Sequence, residues 1–350
     1  MVGAPAVCRL LYTEDAGATW TPQLAWQGAP IGRLTAFDAC RAGLVLGLTP
    51  EANDVNGYPV GGGDYAAVFA STEDAGTTWT VGSAPDPKAF TGMFHFLTPR
   101  RLWLLTAPIG HYPRTDVART EDGGATWTKN GSPENLPFTQ VAFSTVTDGL
   151  LIAAEGFRND ILYVTGDGGT TWTRQPLAPP PGLPATAETL LSPVIRSGDP
   201  VLLLRAYSRR QSTPRWAGSY AYLGTDRGQT WSGPHRLPMA PSWTQPDLAV
   251  PGRDGRFWAA SGHDIWVADD LGGPWRHQPA QLPADQLIAD IAPVGDGVLW
   301  LTTTRYPSPG TPPSGMLYRS EDDGEHWARL AVTPLTGEPI KGTGAQPSSH

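Results

Sequence analysis

The run Thr-x-Asp-x-Gly-x-Thr-Trp is written four times in this chain, at Thr13–Trp20, Thr72–Trp79, Thr120–Trp127 and Thr165–Trp172. Three looser copies end at Trp231, Trp275 and Trp327, and successive Trp residues lie 59, 48, 45, 59, 44 and 52 positions apart. A period of about 50 residues marks a repeat architecture, in which each unit buries its apolar face against its neighbours. The motif itself reads as a tight turn. The Asp side chain accepts hydrogen bonds from backbone N–H groups that follow it, the Gly supplies a conformation that costs other residues more, and the leading hydroxyl satisfies further turn groups. The Trp then buries a large ring between neighbouring sheets.

Short apolar runs precede the motif, as in Arg9–Tyr12, Ala67–Ala70, Ile161–Val164 and Met316–Tyr318, so each copy predicts a hairpin. Between copies a second hairpin is legible: Ala36-Phe37 leads to Gly43–Gly47, Phe94–Phe96 to Leu102–Leu105, and Ile288-Ala289 to Val298–Leu301. Four strands per period with no sustained helical periodicity predict an all-β fold, a β-propeller of four-stranded antiparallel blades. The count gives six complete blades and a lone third and fourth strand over residues 8–26, hence seven blades if two more strands complete the first, with six blades and an appended hairpin as the second reading. Residues 1–333 are read as one propeller domain and 334–350, rich in Gly, Pro and Ser, as a poorly structured tail and a poor strand donor. Either the chain start is internal to a longer product, or the propeller closes irregularly.

These motifs resemble the Asp-box, or BNR, repeat of sialidases, sortilin-type receptors and photosystem II assembly-factor propellers. The resemblance implies that Asp15, Asp74, Asp122, Asp167, Asp226, Asp270 and Asp322 are structural turn residues, on the face opposite the ligand site. The copies weaken along the chain, with Gly224 and Ala268 in place of the leading Thr and Pro274 and His326 in place of the Thr before Trp. The run Phe37-Asp38 to Gly43–Gly47 is similar to the assembly-factor group. The Phe-Arg-Ile-Pro motif that sialidases carry ahead of the first box is absent from this sequence.

Composition narrows the partners. Charged residues are 17% of the 350 and the formal net charge is −8, which argues against nucleic acid. No Cys/His spacing suggests a metal site, and neither metal nor cofactor is expected. Cys8 and Cys40 are the two cysteines, and they are read equally as a pair in an exported protein or as isolated thiols. No apolar stretch approaches 18 residues and no leader is visible; an extracytoplasmic or secreted monomer is the expectation.

In such a blade the connections between second and third strands open away from the motif turns, and binding residues usually sit on loops over a rigid scaffold. Several of these loops carry Arg beside aromatic or imidazole groups: His111 and Arg114, Arg158, Arg209 and Arg210 with Trp216, and Arg305 with Tyr306. Trp243 lies on a blade connection. Arg holds carboxylate oxygens bidentately and aromatic rings stack on sugar faces. The main expectation is a non-catalytic scaffold that binds a carbohydrate, peptide or protein, with an anionic group on the ligand. The resemblance to sialidases implies an alternative, an exo-glycosidase with Arg114, Arg209 or Arg210, and Arg305 as its carboxylate clamp, and Tyr306 with Glu155 as its nucleophile pair. The assembly-factor resemblance implies a third, a factor that holds a membrane-protein intermediate. Among acidic residues, Asp64, Asp116, Glu155, Asp160 and Asp247 are placed within reach of the same loops.

Overall fold

The computed structural model describes the chain apart from residues 1–6, 28–33, 49–65, 86–89, 107–114, 131–132, 134–135, 156–158, 185–186, 196–198, 211–212, 240–247, 306–314 and 332–350. The chain is an all-β propeller of six four-stranded antiparallel blades, preceded by a two-stranded sheet of β1 (Val7–Tyr12) and β2 (Thr21–Gln27). The first three blades are β3 (Leu34–Ala36), β4 (Ala42–Leu48), β5 (Ala66–Thr72) and β6 (Thr80–Ser83); β7 (Phe90–Phe96), β8 (Leu102–Thr106), β9 (Asp116–Thr120) and β10 (Thr128–Asn130); and β11 (Phe138–Phe143), β12 (Gly149–Glu155), β13 (Asn159–Thr165) and β14 (Thr173–Gln175). The last three are β15 (Glu188–Val194), β16 (Val201–Arg210), β17 (Thr213–Thr225) and β18 (Thr230–Arg236); β19 (Leu248–Pro251), β20 (Phe257–Ser261), β21 (Asp264–Ala268) and β22 (Arg276–Pro279); and β23 (Gln286–Gly295), β24 (Val298–Arg305), β25 (Gly315–Ser320) and β26 (Ala328–Leu330). No helix among the described residues is long and apolar enough to cross a membrane.

Two compact units divide the chain, Met1–Ala154 with Thr165–Thr173, and Glu155–Val164 with Arg174–Val332. In the first unit, Val45, Phe69 and Ala84 pack against Phe96, Leu102, Leu104 and Ala118 of the following blade. Trp103 stacks on Phe143 with ring centroids 3.8 Å apart. In the second unit, Val250, Trp258, Ile265 and Val267 meet Ile288, Ile291, Leu299 and Leu301. Most of these residues belong to the first three strands of their blades, and each fully buried Leu or Ile contributes about 1.5–3 kcal/mol.

The repeated turn closes on itself. In the third copy, Asp122 Oδ1 accepts from Thr120 Oγ1 (2.7 Å) and from the Thr126 backbone N–H (2.8 Å), Oδ2 accepts from Thr126 Oγ1 (2.6 Å), and the Gly124 N–H donates to Thr120 Oγ1 (2.9 Å). The same set recurs around Asp15, Asp74 and Asp167. Donors from Thr126 hold the Asp122 carboxyl down to about 2. Two consecutive left-handed residues make the bend: Gly123 and Gly124 at φ 74° and 94°, Ala16 and Gly17 at 57° and 93°. The second was foreseeable from its Gly; the first was not, because Ala, Asp and Arg also occupy it at Ala75, Asp323 and Arg227.

The weaker copies separate into two kinds. At Asp322, Ser320 stands in for the leading Thr, and His326 donates through both its backbone N–H (2.9 Å) and Nδ1 (2.6 Å), so the bond pattern survives. At Gly224 and Ala268 the leading hydroxyl is gone and the pattern goes with it. Asp226 opens a short 3-10 turn while Thr225 and Thr230 hydroxyls meet at 2.5 Å; Asp270 keeps only the Gly272 N–H, and the left-handed residue moves to Gly273.

Adjacent blades of the first unit approach closely at these turns. A Cβ on Gly82 of β6 would lie 2.1 Å from the Gly123 carbonyl oxygen, and Trp127 Nε1 donates to the Ser83 carbonyl at 2.8 Å. Blade spacing here therefore requires glycine.

Candidate functional site

β16 and β17 form a hairpin of ten and thirteen residues that runs on past the blade. Its regular pairing reaches Ala206 opposite Gly218, where the register shifts; beyond the bulge Tyr207 faces Trp216, Ser208 faces Arg215, Arg209 faces Pro214 and Arg210 faces Thr213. Such bulges re-aim a strand and increase its twist. The stretch from Tyr207 to Trp216, expected as a loop, is therefore two paired strands around residues 211–212. Arg is compatible with a ladder that the main chain holds, and the absence of an apolar run hid the extension. Tyr207 is buried and Trp216 half-buried at the root of the extension. Three arginines, Arg209, Arg210 and Arg215, occupy the last three register pairs.

The root of the hairpin holds carboxyl groups. Glu188, the first residue of β15, is buried and lies directly opposite Tyr207. Sequence reasoning passed over it; its one signal was a carboxylate abutting the apolar Leu190-Leu191 run. Asp160, in β13, accepts a 2.7 Å bond from the Leu191 N–H, beside the single parallel bridge of Asn159 to Thr189. Burial pushes the Asp160 carboxyl up to about 6, against the lowering effect of that bond. Part of the expected loop Glu155–Asp160 is thus strand: Glu155 ends β12, and Asn159 and Asp160 begin β13. Below about pH 6 the protonated Asp160 carboxyl can donate as well as accept.

Arg305 ends β24 on a different blade, with Nε 2.7 Å from Asp285 Oδ2 and both side chains about half exposed. The guanidinium bond holds the Asp285 carboxyl below its usual range. Arg305 is thus in an ion pair with Asp285, a partner that its sequence neighbours do not reveal. Asp116 begins β9 in the other unit. His111, Arg114, Arg158, Trp243, Tyr306, Asp64 and Asp247 lie outside the described residues, as do the side chains of Glu155, Arg209, Arg210 and Arg215. The described part of the expected site is accordingly the backbone of the β16–β17 extension, Trp216, Asp160 and Arg305; Glu188 and Asp285 are added to it by the structure. Among the described residues one group of metal-type ligands occurs, the exposed Asp322, Glu325 and His326, and it belongs to the seventh turn.

No protein-family model matches the chain, and no curated protein matches it. Among solved structures the chain is similar to one described as YCF48 bound to D1 peptide, with a TM-score of 0.51 and 18% identity over 93% of this chain and 84% of that chain. It is similar to a post-proline cleaving enzyme from Rickettsia typhi, with a TM-score of 0.53 and 10% identity over 96% of this chain and 54% of that one. A structure from a study of two prolyl endopeptidases matches with a TM-score of 0.51 and 14% identity over 88% of this chain and 43% of that one. At such identities the likeness is one of fold alone.

Proposed function

We propose that this chain is a non-catalytic propeller scaffold that holds a segment of a protein partner, with the β16–β17 hairpin as its cationic arm. The observation that carries the reading is the register of that hairpin, which gathers Arg209, Arg210 and Arg215 into three successive pairs beyond Tyr207 and Trp216. Arginines on a rigid ladder recognise carboxylates bidentately, and aromatic groups at the root exclude water from such contacts. The solved structure of YCF48 with a D1 peptide supports a peptide as the occupant, since it is a peptide complex on the same fold. The pairing of Arg305 with Asp285 favours a scaffold over a sialidase-like clamp, which needs its arginines available to the substrate carboxylate. The repeated turns fit the Asp-box family in which both scaffolds and hydrolases occur, and the partner chemistry is that of an acidic protein segment.

The test is fluorescence anisotropy with a labelled 12-residue peptide of alternating Glu and Phe. The wild-type chain binds it with an affinity that falls as salt rises, and the double variant Arg209→Glu with Arg210→Glu binds at least about tenfold more weakly, as loss of two charge-assisted contacts does. Equal affinity in the double variant removes the hairpin from the reading. Turnover of a sialoside or glucuronide that is lost in Arg305→Ala replaces the scaffold with an enzyme.

A further inference from the structure

The connection from β14 to β15 carries five prolines in the nine residues from Pro176 to Pro184. Each proline ring holds φ at about −65°, and the residue before a proline is pushed toward extended backbone. Gln175, Ala178, Pro179 and Pro180 each precede a proline. The stretch from Gln175 to Pro181 is thereby driven to polyproline II, a left-handed helix of about three residues per turn with no internal hydrogen bonds. Past Gln175 this stretch belongs to no strand. It ends in a turn at Gly182, φ 78°, where the Leu183 N–H donates to the Pro180 carbonyl at 3.4 Å.

Burial along the stretch follows that period. Leu177 is half-buried and Pro180 buried, whereas Pro176, Ala178, Pro179 and Pro181 are exposed. The edge formed by Leu177 and Pro180 therefore faces the protein. Tyr222 of β17, itself buried, donates from its hydroxyl to the Ala178 carbonyl at 2.5 Å and fastens the stretch in place. The other two edges point outward, with Ala178 and Pro181 on one and Pro176 and Pro179 on the other. A connection that needed only stiffness could turn its prolines to any side. Here four of the five are exposed, and the inward place between Pro176 and Pro179 is taken by an aliphatic residue.

We propose that residues 175–181 are a docking strap for a partner domain with an aromatic-lined groove, which takes the dipeptides Gln175-Pro176 and Ala178-Pro179. Grooves of this kind seat successive x-Pro dipeptides of a polyproline II segment between aromatic rings, and the residue between the dipeptides points away from the groove. That spacer is Leu177 here, and it is the residue that the strap turns toward its own protein. The prolines and the Tyr222 bond already hold the strap extended, so docking forfeits little chain entropy. The partner is a folded domain, unlike the acidic segment assigned to the β16–β17 hairpin, and different residues hold it.

Titration of an isotope-labelled WW domain and an isotope-labelled SH3 domain with the full chain tests it, read at the indole N–H of the Trp that lines each groove. The indole signal of at least one domain shifts saturably with the wild-type chain, and the double variant Pro176→Ala with Pro179→Ala binds at least about tenfold more weakly. Both replaced side chains are exposed, so the variant keeps its fold, checked by circular dichroism. Pro184→Ala, beyond the turn, leaves the affinity in place, as does Arg209→Glu with Arg210→Glu, which separates the strap from the hairpin. A synthetic peptide of residues 174–182 competes for the domain, and the same peptide with Ala at positions 176 and 179 does not. No indole shift with either domain at about millimolar chain overturns the proposal, since grooves of this kind bind their ligands more tightly than that. Equal binding by the double proline variant overturns it, and an equal loss in Pro184→Ala overturns it in favour of a connector that is merely stiff.

Discussion

At Asp122 an exposed carboxylate draws donors from Thr120 and Thr126 and is held to about 2, whereas at Asp160 a half-buried carboxyl has the Leu191 N–H and is pushed up to about 6. In the turn, the charge itself is put to use: three short bonds converge on it from within one loop, and water still reaches it. At the seam between β13 and β15, the main chain requires an acceptor for Leu191, and the surroundings disfavour the charge that comes with it. The first arrangement is built around an anion; the second tolerates an acid.

The largest effect that can break this comparison is steric. Gly124 sits at φ 94° with a prospective Cβ 3.2 Å from Gly82 Cα, so Gly124→Ala destabilises by roughly 2 kcal/mol in urea melts, as a left-handed non-glycine residue does. Gly272→Ala, in the copy whose left-handed residue has moved to Gly273, costs less than about 1 kcal/mol because its prospective neighbour is the movable end of Asp270. Equal losses at the two sites would mean that the bend, and not the bonding around Asp122, is common to all copies.

A smaller effect separates the two carboxyl groups by sign. The raised Asp160 acid stabilises the folded chain fully below about pH 4, and this contribution is lost as pH rises through about 6. Asp160→Asn keeps an acceptor for Leu191 without the charge, so it stabilises at pH 8 by about 1–2 kcal/mol, after allowance for partial exposure, and by little at pH 4. A gain independent of pH would show that Asp160 is not shifted. The depressed Asp122 works the other way: its contribution is present above about pH 4 and is lost as pH falls toward 2.

The smallest effect concerns His326, whose bond to Asp322 raises its pKa. Its contribution is present below the unfolded value of about 6.5 and fades as pH rises through the folded one. His326→Thr restores the hydroxyl of the other copies, leaves the urea midpoint at pH 8 in place and flattens its dependence on pH between 6 and 8. A lowered midpoint at pH 8 would show that the imidazole does something a hydroxyl cannot.

The strands and motif turns were legible because their signals are local: an apolar run of four or five residues, then Asp, Gly and Trp at fixed offsets. What stayed hidden depends on distant residues. The β16–β17 extension is held by main-chain pairing, so Tyr207–Arg210 shows no apolar alternation to announce it. Asp285 reaches Arg305 across 20 positions, and Glu188 gains its place beside Tyr207 only when β15 and β16 pair. The left-handed residue before each motif Gly was hidden for another reason: Ala16 and Ala75 bear no mark of the conformation that the surrounding bonds impose.

Every hydrogen bond that defines the repeated turn spans at most four positions. A blade copied by gene duplication therefore carries its whole clasp with it and needs nothing from the host sequence to fasten. The same self-sufficiency permits wear. A copy that loses its hydroxyl, as at Gly224 and Ala268, withdraws only its own contribution and leaves the other clasps shut. Such a chain can lengthen by whole cassettes and decay one cassette at a time, which frees the other ends of its blades to diverge toward different ligands.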